Sequence, residues 1–227
     1  MMRILAIETA TWLASVAVAD GERIVAERDQ LTQGRHAAVL LPAIRDVLGS
    51  AGLTVRDLDL IGVSVGPGSF TGLRVGLSVA KTLGYAAGIR VVGVPTLEAL
   101  AYAAPNDSAS IVAALDARKG ELYAAAFRRE GGALRMVLEE QLVEAPVLLG
   151  KLPRPCTIIG DATETYGNWF REQLGSRVTV LPFPEWGPRA RIVAQLAAAR
   201  AQESESMPDE PRYLRPPEAQ VHRAKVA

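Results

Sequence analysis

Ile4-Leu5-Ala6-Ile7-Glu8 and, 108 positions later, Val112-Ala113-Ala114-Leu115-Asp116 are the two stretches that decide the architecture. Each is a short apolar run that ends in a carboxylate. Runs of this length read as strands covered on both faces. The segments after them repeat too. Arg3–Thr9 leads into strands at Trp12–Ala19 and Arg23–Arg28, with Asp20-Gly21 between the last two. A two-residue turn needs positive φ, which glycine takes without strain. In the second half, Ser110–Asp116 leads into Glu121–Phe127 and Ala133–Leu138, and Gly131-Gly132 marks the turn.

The remaining segments continue the pattern. Leu40, Leu41, Ile44 and Leu48 share one stripe of a helix over His36–Leu48, stopped by Gly49 and Gly52. Strands follow at Leu60–Val65 and Arg90–Val94, with a helix over Phe70–Tyr85 between them. Pro95-Thr96 opens a helix to Ala103, with Thr96 suited to the N-cap. After the linker Pro105-Asn106-Asp107-Ser108, the second half adds a short helix at Pro146–Gly150 and a strand at Cys156–Ile159. A helix at Ala162–Leu174, a strand at Arg177–Leu181 and a helix at Pro188–Gln202 complete it. Two such halves facing each other describe a duplicated actin-like (ASKHA, ribonuclease H-like) α/β fold, with mixed sheets flanked by helices. Identity between the halves is low, so two unrelated α/β lobes remain the competing reading. The expected domains are an N-terminal, partner-binding lobe over 1–104, a C-terminal lobe over 105–205 and an extended tail over 206–227.

Composition narrows the function classes. Of 227 residues, 49% are hydrophobic and 22% charged, enough apolar material for a packed core. Lys plus Arg and Asp plus Glu stand at 25 each, which argues against broad nucleic-acid binding by the chain alone. The single cysteine, Cys156, rules out an internal disulfide and reads as a small buried hydrophobe. The N-terminal stretch lacks the apolar core of a signal peptide. The longest uncharged stretch, Leu60–Leu73, is too short and too broken by Pro67 and glycines to span a membrane. A cytoplasmic, soluble protein is expected.

Two segments carry more information. The loop from Gly66 to Gly72 joins a buried strand to a helix N-terminus. Its candidate residues for an anion, a nucleotide or a partner group are Gly66, Gly68, Ser69, Thr71 and Gly72. Ser69 or Thr71 could equally be a simple N-cap, and no Walker lysine is present after the loop. Along the next helix Gly72, Gly76, Ala80 and Gly84 form a ridge of small side chains, flanked by Leu73 and Leu77. Its apolar arc is wider than a surface helix needs, and helix 36–48 shows the same excess. Burial inside the monomer is one explanation. The other is a protein–protein face made of Leu40, Leu41, Ile44, Leu48, Leu73, Gly76, Leu77 and Ala80.

Five stretches together resemble one family. They are Ile4–Thr9, Gly66-Pro67-Gly68-Ser69-Phe70-Thr71-Gly72-Leu73-Arg74, Val94–Leu100, Leu115–Tyr123 and the closing Pro211-Arg212-Tyr213-Leu214-Arg215-Pro216. In this order they are similar to the TsaB (YeaZ) family, glycoprotease-like members of the actin-like superfamily. The resemblance implies a pseudo-enzyme relative of TsaD that forms a complex with TsaD and the ATPase TsaE. That complex transfers threonylcarbamoyl to N6 of adenosine 37 in tRNA. The resemblance also places the pairing surface on the first two helices of the N-terminal lobe, and it implies tRNA contact through the complex. This subunit is expected to bind no cofactor alone; ATP or ADP at the complex interface, and a homodimer rather than a monomer when the partner is absent, are left open by the sequence.

The sister's metal site, as the resemblance gives it, uses two histidines four apart. Here His36 and His222 are far apart and position 40 is Leu40, so no metal site is expected. The competing function is a stand-alone small-molecule kinase or nucleotide hydrolase using Glu8 and Asp116. Its weakness is the stretch Glu8-Thr9-Ala10-Thr11-Trp12, which has no glycine for close approach to phosphate. Structural hydrogen bonding is the other role open to the two acids. His36 is expected either to face solvent or to serve as a polar group at the helix start; the arginines at 212, 215 and 223 with Lys225 are expected in a solvated tail, with contact to tRNA or the partner as the alternative.

Overall fold

The computed structural model describes residues 1–32, 34–202 and 210–214. In chain order the first half runs β1 (Arg3–Glu8), β2 (Leu13–Asp20), β3 (Arg23–Leu31), α1 (His36–Ala51), β4 (Leu60–Gly66), α2 (Phe70–Ala87), β5 (Arg90–Pro95) and α3 (Thr96–Tyr102). The second half runs β6 (Ser110–Asp116), β7 (Glu121–Glu130), β8 (Ala133–Glu144), α4 (Ala145–Leu149), β9 (Cys156–Ile159), α5 (Ala162–Leu174), β10 (Val178–Val180) and α6 (Ala190–Gln202).

The sheet orders are β3-β2-β1-β4-β5 and β8-β7-β6-β9-β10, the same topology twice. In both, the first three strands form an antiparallel meander, and the fourth lies parallel to the first. The duplicated actin-like reading therefore describes the chain. The hairpin strands β3 and β8 outrun the expected ends because their ladders with β2 and β7 continue past the last regular apolar alternation.

Period-two side chains divide each sheet into two buried faces. On β1, Leu5 and Ile7 join Leu40, Ile44 and Leu77 of α1 and α2, while Ile4 and Ala6 join Val193, Ala194 and Ala197 of α6. On β6, Val112 and Ala114 meet Phe170 and Leu174 of α5, while Ile111, Ala113 and Leu115 meet Leu97 and Leu100 of α3. The last helix of each half thus covers the other half's sheet. Gly62 on β4 makes room for α6, since a Cβ there would lie 2.7 Å from Ala197 Cβ. Polar contacts fix α6 in place. The Ala190 amide donates to Ser15 Oγ at 2.8 Å, and Arg189 pairs with Asp29 at the same distance.

The lobe division expected at 104/105 follows the topological repeat, but the packing crosses it in both directions. The helix expected within the second lobe, residues 188–202, lies on the first sheet. Among the described residues no helix is long and apolar enough to cross a membrane. Most of the tail, with His222, Arg215, Arg223 and Lys225, lies outside the described residues. Residues 210–214 are described, and they adopt no regular secondary structure.

Candidate functional site

The strand ends that carry Glu8 and Asp116 are each closed by the chain itself. After β1 the backbone turns so that the Ala10 amide donates to Glu8 Oε1 at 2.6 Å. Glu8 is fully buried. Burial pushes its carboxyl up to about 7, against smaller downward contributions from the Ala10 amide, the Ser64 hydroxyl and the Thr9 amide. No cation is among those influences. At the end of β6, Asp116 receives the Arg118 amide at 2.8 Å and the Arg118 guanidinium at 3.1 Å. The Asp116 amide in turn donates to Asp161 Oδ1 at 2.8 Å, and burial pushes Asp161 up to about 7. Each acid takes part in structural hydrogen bonding, one of the two roles left open for it, while Glu8 Oε2 is buried with no hydrogen-bond partner among the described residues.

The Gly-rich loop is filled in the same way. A Cβ on Gly68 would stand 2.4 Å from the Ala10 carbonyl oxygen, and one on Gly66 would stand 2.7 Å from that of Arg212. The Ser69 amide donates to Ala10 O at 2.7 Å, and Ser69 Oγ accepts from the Gly72 amide at 3.2 Å, which makes Ser69 the N-cap. Thr71 is exposed. The close approach permitted by these glycines is to the chain's own backbone, so the loop by itself does not fit a phosphate. Among the described residues, no group of three or more His, Cys, Asp or Glu is placed to hold a metal.

The ridge of small residues on α2 faces inward. Cβ atoms on Gly72 and Gly76 would lie 2.1 Å from Thr9 O and 2.2 Å from Thr9 Oγ1, so the helix rests directly on the end of β1. This corrects the expected partner face. Leu40, Ile44, Leu48, Leu73, Gly76, Leu77 and Ala80 are all buried within the chain, and of that set only Leu41, 53% exposed, faces outward. The wide apolar arcs arise because α1 and α2 pack against the sheet and against each other. On the outer side of α1 there remain Ala37, Ala38, Leu41 and Pro42, with Arg45 one turn further on.

His36 opens α1, as one of its two readings had it. It is buried, not solvent-facing, and its Nε2 lies 2.7 Å from Thr11 O. A carbonyl can only accept, so this nitrogen carries the proton. Burial lowers the imidazole pKa. Cys156 is buried as expected, and its thiol is pushed up to about 11.

A family model for TsaD, tRNA N6-adenosine threonylcarbamoyltransferase, matches residues 26–221. The tRNA threonylcarbamoyladenosine biosynthesis protein TsaB of Bacillus subtilis is 29% identical over 225 residues, 97% of each chain. YeaZ from Pseudomonas aeruginosa superposes with a TM-score of 0.77 at 27% identity, over 94% of this chain and 100% of that one. The chain belongs to the TsaB (YeaZ) family, related to TsaD. As a TsaB homologue it is involved in tRNA threonylcarbamoyladenosine biosynthesis. A more distant neighbour carries the fold alone. It is component A of (R)-2-hydroxyglutaryl-CoA dehydratase from Acidaminococcus fermentans, with a TM-score of 0.55 at 11% identity over 89% of this chain and 100% of that one.

One part of this TsaB-family chain escaped sequence reasoning. The Arg74 guanidinium lies 3.9 Å over the Phe70 ring, and the Tyr213 ring lies 5.1 Å from Phe70. Arg74 Nε donates to Tyr213 Oη at 3.0 Å across 139 positions of chain. The signal was the closing Pro211–Pro216 motif, but nothing in its pattern says what it touches.

Proposed function

We propose that this chain is a non-catalytic, activating subunit of the complex that makes N6-threonylcarbamoyladenosine in tRNA. It pairs with a TsaD-like catalytic subunit, works beside a TsaE-like ATPase and meets tRNA through the assembly. The observation that carries this reading is the apolar outer stripe of α1. Ala37, Ala38, Leu41 and Pro42 face solvent side by side, and Leu41 is 53% exposed. An exposed leucine within an otherwise small and flat apolar stripe suits a knob in a partner's pocket.

The closed strand ends support the non-catalytic half of the reading. A carboxyl held neutral to about pH 7 and bound to its own loop is a poor ligand for a metal-bound nucleotide. ATP or ADP in the assembly would need groups from the partner, at the shared interface. The same argument weighs against a stand-alone kinase or hydrolase.

Leu41→Asp tests the reading. The residue lies outside the core, so the variant should melt like the parent. It should fail to co-purify with the TsaD-like protein and should not support modification in a reconstituted reaction. Full-strength co-purification would refute the surface. Light scattering of the parent and the variant asks whether the same stripe also makes a homodimer when the partner is absent.

A further inference from the structure

The described piece of the tail, residues 210–214, is seated at a specific place. The Arg212 amide donates to Val65 O at 2.7 Å, continuing the hydrogen bonding at the C-terminal end of β4. Its carbonyl presses into the space that Gly66 leaves open by lacking a side chain; Gly66 holds φ +107°, which other residues rarely adopt. The side chain of the same residue reaches the other half. Arg212 Nη2 lies 3.0 Å from Glu140 Oε2 on β8, and the Glu140 side chain is only 6% exposed. Neither Glu140 oxygen makes a hydrogen bond, so the Arg212 contact is an ion pair, and burial raises this carboxyl's pKa, opposed first by Arg212. Arg212 is therefore the principal counter-charge of a nearly buried carboxylate. Removing it would leave that carboxylate only the weaker influence of Arg200.

Tyr213 performs the second half of the seating. It stacks on Phe70 and accepts from Arg74, both in the first turn and a half of α2. Arg74 is held from two sides, by the Phe70 face and by the tyrosine hydroxyl. Phe70 stays 40% exposed. The result is an aromatic–arginine stack at the start of α2, on the helix next to the apolar stripe of α1. Tyrosine and arginine are the residue types that most often dominate protein interfaces.

We propose that Arg212 and Tyr213 form an interlobe strap that fixes the first turns of α2 and so completes the partner-binding face. The partner half of this statement rests on the proposed pairing with a TsaD-like subunit; the strap itself does not. The strap joins the two halves beside α3, whose Thr96 Oγ1 accepts from the Gly66 amide at 3.1 Å, and it adds a separate tie between β4 and β8. It acts by positioning Phe70 and Arg74, with no chemistry of its own.

Hydrogen exchange on the full chain tests the strap without any partner. Tyr213→Ala should raise exchange at the amides of Leu73 and Arg74 about tenfold, the scale of one lost charged hydrogen bond. Exchange in β6 and β7 should stay as in the parent. Tyr213→Phe keeps the ring and should show a smaller rise. Arg212→Gln should produce the rise too, and combining it with Glu140→Gln should restore thermal stability but not protection at α2. Unchanged exchange at 73–74 in Tyr213→Ala overturns the proposal. Binding to the TsaD-like protein is then measured for the parent, Leu41→Asp and Tyr213→Ala. A roughly tenfold loss for Tyr213→Ala is expected, equivalent to about 1.4 kcal/mol. Raised exchange with parental affinity would overturn the partner half alone. Failure of the parent itself to bind would overturn the pairing and leave the exchange result to judge the strap.

Discussion

Replacing Gly72 by alanine should destabilise the isolated chain, although alanine is the better helix former. The propensity gain in a helix interior is about 0.5–1 kcal/mol. Against it stands a Cβ placed 2.1 Å from the Thr9 carbonyl oxygen, with Ser69 Oγ at 3.2 Å. The obstructing atom is backbone at the end of β1, so it cannot swing aside as a side chain would. Overpacking of this kind costs about 1–3 kcal/mol, and a backbone obstacle points to the upper end. The net loss should be about 2 kcal/mol. For a chain of this size that lowers the melting temperature by about 4–8 °C. Gly49→Ala is the control. Nothing lies within 4 Å of its Cβ position on α1, so only the propensity term acts, and stability should rise by about 0.5–1 kcal/mol. Urea denaturation of both variants, followed by circular dichroism, measures the difference. If Gly72→Ala unfolds at the parental urea midpoint or above it, the ridge does not rest on β1. It would then be open to a partner after all.

Three more outcomes are expected. A proton stays on Glu8 in the native state to about pH 7, whereas the unfolded chain releases it near 4.5, so the stability it contributes is complete below 4.5 and is lost as pH rises through 7. The loss is up to about 3 kcal/mol. Glu8→Gln should remove that decline in urea titrations run from pH 4.5 to 8, and equal pH profiles would refute the assignment; Asp161, also held near 7, contributes to both. For His36 the sign is opposite. Its lowered pKa keeps the native imidazole neutral, so its contribution is complete above the ordinary value of 6.5 and falls as pH drops below it. Nitrogen NMR should find the proton on Nε2 and a midpoint below 6.5; a midpoint at or above 6.5 would contradict the buried contact with Thr11. Finally, Ile44→Asp and Leu77→Asp place unpaired charges at positions 3% and 4% exposed. The several kcal/mol this costs rival total domain stability, so gel filtration and circular dichroism should find unfolded or aggregated chains. Folded monomers would show that these side chains face outward.

The sequence by itself determined the strand and helix order and the family, and it suggested the repeat that the matching sheet topologies then established. These rest on local signals. A period of two or 3.6 is written within a dozen residues, turns announce themselves by Asp20-Gly21 and Gly131-Gly132, and the run from Gly66 to Arg74 is distinctive as a string. Tertiary structure alone decided what covers each apolar face. Periodicity says that Leu77 and Gly76 seek an apolar neighbour, and it says so identically whether that neighbour is β1 or another protein. Only the fold shows that α1, α2 and the sheet share those faces, which leaves Leu41 outside. The exchange of α3 and α6 between the halves and the seating of Tyr213 on Phe70 belong to the same class. They join segments far apart in the chain. Such contacts are chosen by the summed packing of the whole chain, and no local pattern records them.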